Sequence, residues 1–198
     1  MPQKNDNING YILAGGKSSR MGSDKGLIPF KGKPLIQYVI EQLEPAVNKV
    51  VLVANNSAYQ DLGLEVIPDI IKDIGPAGGI YSALKHTDTC FNFILSCDMP
   101  FIKSEAIEFI IQNSFQWQIT VPIYHQQIEP LCGIYTKDCL IEWEGFILQN
   151  IIRLHDMISY FKLLKLNVDT NKLFNDQLFL NINTPPDLIN ALNENTMK

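Results

Sequence analysis

The chain has 198 residues, of which 46% are hydrophobic and 19% are charged, a balance typical of a globular protein with a sizeable core. We therefore expect residues 1–198 to form a single domain. The formal net charge is -5 and no run of Lys and Arg occurs, which argues against a nucleic-acid partner because backbone phosphates need a concentrated basic face. The first nine residues are polar, and no apolar stretch reaches the roughly 18–20 residues of a membrane helix. The sequence thus predicts a cytoplasmic protein without a membrane partner.

The first half of the chain alternates short apolar strands with helices. Strands are predicted for residues 10–14, 50–53, 64–67 and 91–97, where apolar residues run without interruption. Pro34 opens a helix, a position that favours proline. Apolar residues then recur at helical spacing, namely Leu35, Ile36, Val39, Ile40 and Leu43. The run GPAGG at 75–79 predicts a break before a helix at 80–85.

The second half continues the alternation. Helices are predicted for residues 104–113, 145–159 and 185–192, with Ser104 as the N-cap of the first. Strands are predicted for residues 119–122, 131–135, 162–168 and 178–181. Alternating strands and helices predict an α/β fold with a mostly parallel sheet covered on both faces. Ligands on such sheets bind at the carboxyl ends of the strands, near a switch in strand order.

The cysteines and histidines form no metal-binding pattern. They are Cys90, Cys97, Cys132, Cys139, His86, His125 and His155. No Cys-x-x-Cys pair occurs and no zinc spacing is completed. We expect reduced thiols that mostly pack inside the protein.

A glycine-rich loop, LAGGKSSRMGSDK at residues 13–25, follows the first predicted strand. Gly15 and Gly16 let backbone N–H groups approach phosphate oxygens without a Cβ clash. Arg20 and Lys25 can neutralise phosphate charge, and Ser18 can donate a hydrogen bond. The loop matches neither the P-loop nor the dinucleotide GxGxxG pattern. Composition alone leaves two interpretations open, a phosphate-binding loop or a tight turn with solvated charges.

The same loop carries a family resemblance. LAGGKSSRMGSDKGL resembles the L-A-G-G-x-S-x-R-M-G-x-D-K signature of the molybdenum cofactor guanylyltransferases, which belong to a superfamily of nucleotidyltransferases. The resemblance continues in family order through KGKPLI, GPAGG, SCDMPFI, IEPLCGIY and NINTPPDL, and it spans nearly the whole chain. It implies a Rossmann-like three-layer αβα sandwich of the nucleotidyltransferase type. The implied reaction transfers GMP from GTP to the phosphate of molybdopterin or Mo-molybdopterin and releases pyrophosphate.

The resemblance also assigns an acidic site. Asp98 directly follows the strand predicted at 91–97, and by similarity it holds the Mg²⁺ that bridges the nucleotide phosphates. Magnesium prefers one or two carboxylates together with phosphate oxygens and waters. The alternative is that Asp98 caps a helix before Pro100. Asn183 is a second metal contact by similarity, although Asn183 or Thr184 is equally suited to cap the last helix.

Base recognition is assigned by resemblance as well. Asp69 matches a family aspartate that helps to recognise the guanine or the ribose, and the alternative is an ordinary loop aspartate. The chain departs from the family at Val53, where some guanylyltransferases carry Asn, while Asn55 remains available for a polar contact. GPAGG also differs from the commoner GPLAG. The implied nucleotide-binding residues are Leu13, Ala14, Gly15, Gly16, Lys25, Asn55, Asp69 and Asp98.

The implied chemistry needs positioning and charge neutralisation, for which Lys25, Arg20 and Asp98 are the catalytic candidates. The attacking phosphate is already anionic, so no general base is required. Rival interpretations are a cytidylyltransferase or another enzyme of the same superfamily, and a nucleotide-binding partner protein without turnover. The LAGG start favours guanine, and the intact Lys25 and Asp98 favour turnover. The implied partners are GTP, molybdopterin or Mo-molybdopterin, and, transiently, molybdenum cofactor enzymes or their chaperones.

Overall fold

A computed structural model describes residues 7–15 and 24–193. Within them, the strands are β1 Ile8–Leu13, β2 Pro29–Phe30, β3 Lys33–Pro34, β4 Val50–Val53, β5 Glu65–Ile67, β6 Phe91–Ser96, β7 Ile119–Tyr124, β8 Gln127–Ile128, β9 Cys132–Thr136 and β10 Leu163–Asn167. The helices are α1 Leu35–Leu43, α2 Pro76–His86, α3 Ser104–Gln112, α4 Leu140–Leu148, α5 Leu154–Ile158 and α6 Pro185–Asn193. None of these helices is long and apolar enough to cross a membrane.

The main sheet has the strand order β10-β7-β9-β6-β1-β4-β5, with β8 paired to β7. The pairs β1–β4, β1–β6, β4–β5 and β7–β10 are parallel, whereas β9 runs antiparallel to both β6 and β7. The β7–β8 hairpin turns at His125 and Gln126, which both have positive φ, as two-residue hairpin turns often require. The chain runs from β1 outward to β4 and β5, then returns to place β6 on the other side of β1. Strand order therefore switches between β1 and β6.

Helices cover both faces of the sheet. Alternate residues of β1 point to opposite sides, so that Ile8 and Ile12 join one core cluster while Tyr11 and Leu13 join another. Helices α1 and α3 pack in the first cluster, and α2, α4 and α5 pack in the second. The predicted three-layer αβα sandwich with a mostly parallel sheet is confirmed.

The single helix predicted for residues 145–159 is wrong. The structure has two helices there, α4 and α5, separated at Asn150 with φ 58°. The Asn150 N–H donates to the Ile147 carbonyl at 2.9 Å, and the Ile151 N–H donates to the Phe146 carbonyl at 2.8 Å, which is a Schellman ending. The apolar spacing runs on across this ending because both helices bury their residues in the same core cluster.

Three smaller predictions also need correction. Residues 178–181 form no strand: Leu178 and Phe179 lie in a turn, and the next two residues are irregular. Leu178 and Phe179 are buried in the first core cluster, which explains the apolar run. Helix α2 begins at Pro76, not at residue 80, because Pro is well tolerated at the first helical position. Ser104 is the first residue of α3 and not its cap: its N–H donates to Gln42 Oε1 at 3.1 Å, so a neighbouring helix satisfies this helix end.

Two glycines allow a paired test of this packing. A Cβ at Gly133 would lie 2.3 Å from the Thr120 carbonyl oxygen, whereas a Cβ at Gly145 in α4 meets nothing within 4 Å. We expect Gly133→Ala to lower the free energy of unfolding by about 2 kcal/mol, because two paired strands must move apart. Gly145→Ala should raise it by about 0.5–1 kcal/mol through helix propensity. Urea denaturation of both variants measures the difference, and equal midpoints would contradict the β7–β9 register.

Candidate active site

A cleft of about 720 Å³ opens at the carboxyl ends of β1, β4, β5 and β6, a volume suited to a small-molecule ligand. It lies at the switch in strand order, where Leu13 and Ser96 are paired and the Cys97 N–H donates to the Leu13 carbonyl at 3.2 Å. The sequence-predicted residues that line it are Leu13, Ala14, Gly15, Asn55, Asp69 and Asp98. The fold therefore brings together side chains that are up to 85 positions apart in the sequence.

Two glycines beside β1 lie in close contact with neighbouring side chains. A Cβ at Gly15 would lie 3.1 Å from Asp69 Oδ2, and a Cβ at Gly79 would lie 3.2 Å from Leu13. Helix α2 begins at the cleft, with Gly75 and Pro76 among the lining residues. Its N-terminus has no side-chain cap hydrogen bond and presents the positive end of the helix dipole, which favours an anionic ligand. The predicted Gly16 and Arg20 lie outside the described residues.

Asp98 lies at the centre of a polar cluster on the floor of the cleft. Its residue surface is only 9% exposed. The Ser96 hydroxyl donates to Asp98 Oδ1 at 2.6 Å, and Lys25 Nζ lies 3.6 Å from Asp98 Oδ2. Lys25 Nζ also donates to Asn183 Oδ1. The Ile182 N–H donates to the Asp98 carbonyl at 2.9 Å, which ties the segment before α6 to the end of β6.

The side chain that caps the start of α6 belongs to Thr184 and not to Asn183. The Asp187 carboxylate accepts hydrogen bonds from the N–H groups of Asn183 at 3.0 Å and of Thr184 at 2.8 Å, while the Asp187 N–H donates to Thr184 Oγ1 at 3.3 Å. The bond with Thr184 is the main reason that the pKa of Asp187 is lowered. This reciprocal arrangement caps the helix. The side chain of Asn183 is therefore left to contact Lys25.

Asn55 and Asp69 form a second polar pair at the ends of β4 and β5. Asn55 Nδ2 donates to Asp69 Oδ2 at 2.8 Å, and the Asp69 N–H donates to Asn55 Oδ1 at 3.1 Å. Burial raises the pKa of Asp69, against the opposing effects of Asn55 and Lys72. Val53 is buried and contributes an apolar part of the cleft wall. Asn55 is thus engaged in holding Asp69 in place, and the wall beside them has no polar side chain at Val53.

Several residues at the cleft were not singled out by sequence analysis. Asp24, Asn56, Lys72 and Ser96 all line it. Asp24 and Ser96 stand inside the matched motifs, so their position in the motif was an available signal. Asn56 and Lys72 occupy loops without a recognisable pattern, and only the folded chain shows that they reach the cleft.

In the part of the chain that the structure describes, the cleft offers few side-chain ligands for a divalent metal. No group of three His, Cys, Asp or Glu side chains converges among residues 7–15 and 24–193. Magnesium needs fewer protein ligands, because phosphate oxygens and waters complete its octahedron. Asp98 is a largely buried carboxylate that lines the cleft, and Asn183 Oδ1 contacts the same Lys25 ammonium as Asp98 does. These residues fit a cation held jointly with a ligand.

Phosphate is favoured at this cleft, because the start of α2 and the Lys25 ammonium both attract negative charge. On a mostly parallel α/β sheet, such a site defines a nucleotidyltransferase. The model of the MobA-like NTP transferase domain matches residues 10–158. The chain belongs to the MobA-like NTP transferase family and is a nucleotidyltransferase of molybdenum cofactor biosynthesis.

Named relatives match the chain over most of its length. The chain is 39% identical over 186 residues to a probable molybdenum cofactor guanylyltransferase of Flavobacterium johnsoniae, covering 93% of this chain and 96% of the relative. It is 33% identical over 195 residues to a protein of the same name from Natranaerobius thermophilus, covering 94% and 95%.

A solved structure is similar over the whole fold. Molybdopterin-guanine dinucleotide biosynthesis protein A from Archaeoglobus fulgidus superposes with a TM-score of 0.82 at 27% identity, covering 96% of this chain and 100% of that chain. The 4-diphosphocytidyl-2C-methyl-D-erythritol synthase of Anaerococcus prevotii superposes with a TM-score of 0.71 at 10% identity, covering 96% and 99%. The second likeness concerns the fold alone.

Proposed function

We propose that the chain transfers GMP from GTP to the phosphate of molybdopterin or Mo-molybdopterin, forming the guanine dinucleotide form of the molybdenum cofactor. The observation that carries this proposal is the cluster of Lys25, Asp98 and Asn183, in which Lys25 contacts the other two side chains and Asp98 lines the cleft. The named relatives that match over more than nine-tenths of this chain support the choice of substrates.

The transfer is a displacement at the α-phosphorus. An oxygen of the acceptor phosphate forms the new P–O bond, the bond to the bridging oxygen between the α- and β-phosphates breaks, and pyrophosphate leaves with the electron pair. The acceptor oxygen is already anionic, so the residues need only position the reactants and neutralise charge. Lys25 offers a compact positive charge for the phosphate oxygens. Arg20 remains a prediction for a second phosphate contact.

The Mg²⁺ proposed from the family resemblance is assigned to Asp98, with Asn183 as a further oxygen ligand. When bound, the cation neutralises phosphate charge and orients the phosphate chain. Ser96 orients the Asp98 carboxylate through its hydroxyl at 2.6 Å. Lys25 contacts the side chains of both proposed ligands, so its ammonium lies beside the residues that would hold the cation.

Guanine recognition is assigned to Asp69, whose carboxylate is suited to accept hydrogen bonds from the base N1–H and 2-amino groups. Asn55 holds Asp69 through two hydrogen bonds, one donated to its carboxylate and one accepted from its backbone N–H. Leu13, Ala14 and Gly15 line the same cleft, and Gly16 remains a prediction for nucleotide binding.

The proposal is tested by nucleotide selectivity. We expect kcat/KM for GTP to exceed that for CTP by at least about tenfold, since cytosine lacks the paired N–H donors that face Asp69. Asp69→Asn should narrow this ratio, because an amide accepts through only one of its two terminal atoms. Pyrophosphate release with a molybdopterin acceptor measures both. The Asp61→Asn variant, changed at an exposed position, serves as the control, and equal use of GTP and CTP by the wild type would contradict the proposal.

The proposed setting is the cytoplasm. Cys90, Cys97, Cys132 and Cys139 are all free in the described residues, as a reducing compartment would keep them. The predicted transient contact with molybdenum cofactor enzymes or their chaperones follows from the proposed product.

A further inference from the structure

Tyr59 is a buried tyrosine whose hydroxyl reaches the edge of the cleft. It lies on a 3-10 turn, Ser57–Leu62, and its residue surface is 0% exposed. The hydroxyl donates a hydrogen bond to Asp24 Oδ1. Asn56 Nδ2 lies 3.4 Å from the other carboxylate oxygen of Asp24. A residue far from the glycine-rich loop in sequence therefore holds the carboxylate that directly precedes Lys25.

The same ring also fixes the residue that follows Lys25. A Cβ added to Gly26 would lie 2.5 Å from the Tyr59 hydroxyl oxygen and 3.2 Å from ring carbons. The backbone of Gly26 therefore lies against the hydroxyl end of the phenol, and only glycine permits that approach. Asp24 and Gly26 are held by one buried side chain, with Lys25 between them.

The contacts of Tyr59 with Asp24 and Gly26 fix the backbone from which the Lys25 side chain extends. Lysine has a flexible four-carbon stem, so the position of its charge depends on how firmly the backbone at its base is fixed. Lys25 Nζ bonds to Asn183 Oδ1 and lies 3.6 Å from Asp98 Oδ2. Burial raises the pKa of Tyr59, as the nearby carboxylate does, so the hydroxyl keeps its proton and remains a donor to Asp24.

We infer that Tyr59 is a positioning residue for nucleotidyl transfer, which holds Asp24 and Gly26 so that Lys25 presents its ammonium to the nucleotide phosphates. This inference rests on the proposed role of Lys25. Tyr59 is fully buried, so in this arrangement it acts through the backbone on either side of the lysine.

The test is a double-mutant comparison with Lys25. Tyr59→Phe removes only the hydroxyl, and we expect kcat/KM for GTP to fall about tenfold, because a charge-assisted hydrogen bond at the loop is lost. In a Lys25→Ala background the same change should have almost no further effect, since its target is already gone. Tyr38→Phe is the matched control: its hydroxyl donates to the backbone carbonyls of Phe30 and Lys31, and its kinetics should equal the wild type.

The outcomes separate the inference from the proposed function. If Lys25→Ala alone leaves kcat/KM unchanged, the proposed role of Lys25 fails and the inference fails with it. If Lys25→Ala is impaired but Tyr59→Phe is silent, or lowers the rate equally in both backgrounds, only the inference is overturned. If Tyr59→Phe does not fold, Gly26→Ala tests the same contact, because the added Cβ would lie against the Tyr59 hydroxyl. It should lower kcat/KM in an otherwise native chain and be silent in the Lys25→Ala background, and any other result overturns the inference.

Discussion

Asp98→Asn should lower kcat by at least about 100-fold, or roughly 2.7 kcal/mol of barrier, while leaving the fold intact. The amide has nearly the shape of the carboxylate and keeps an oxygen that can accept from the Ser96 hydroxyl, which lies 2.6 Å away. It lacks the negative charge that the Lys25 ammonium faces at 3.6 Å, and it is a poor magnesium ligand. Pyrophosphate release with GTP and a molybdopterin acceptor measures the loss, and circular dichroism measures the fold.

A magnesium titration sharpens that experiment. An amide oxygen still binds the cation weakly, so we expect raised Mg²⁺ to recover part of the lost rate in the Asp98→Asn enzyme. Asp187→Asn provides a comparison near the same segment, because Asp187 accepts the N–H groups of Asn183 and Thr184 at the start of α6. That variant should lose stability more than turnover. Near-normal turnover of Asp98→Asn at ordinary magnesium would remove Asp98 from the metal site.

Sequence periodicity predicted most of the fold because the buried strands are short, apolar and clearly bounded. Residues 50–53 were predicted and β4 occupies the same positions. Periodicity failed where the pattern of buried residues does not follow a single strand or helix. Leu178 and Phe179 are buried without belonging to a strand, and the helical spacing across Asn150 hides a Schellman ending. The interpretation of residues 1–198 as one domain stays a prediction.

The candidate site was predictable only where chemistry is confined to a motif. Asp98 and Lys25 lie in motifs, and the structure brings them within 3.6 Å of each other. The supporting residues carry no local signal. Tyr59 lies 34 positions after Lys25, in a turn whose sequence predicts nothing, and its relation to Asp24 arises only from the packing of β4 beside β1. Such second contacts depend on tertiary structure, which spacing along the chain cannot show.

Fold alone does not select the nucleobase. The chain superposes both on molybdopterin-guanine dinucleotide biosynthesis protein A and on a 4-diphosphocytidyl-2C-methyl-D-erythritol synthase. We propose that the nucleobase is selected at the cleft wall at the ends of β4 and β5. There Asn55 and Asp69 present a fixed carboxylate beside the apolar Val53. An enzyme that used this wall for cytosine would require a donor and an acceptor in a different arrangement.

Lys25→Ala should lower kcat by at least about tenfold, or roughly 1.4 kcal/mol of barrier. Negative charge on the phosphate oxygens shifts as the bond to pyrophosphate breaks, so a fixed ammonium stabilises the transition state more than bound GTP. A fall in kcat that is larger than the rise in KM identifies an interaction that is stronger in the transition state than with bound GTP. Lys85→Ala is the control, because Lys85 pairs with Glu144 at 3.8 Å on the outer side of α2 and should leave the rate unchanged. Wild-type kcat and kcat/KM in Lys25→Ala would mean that the end of the glycine-rich loop is not the phosphate clamp, and the roles assigned to Tyr59 and Asp24 would fall with it.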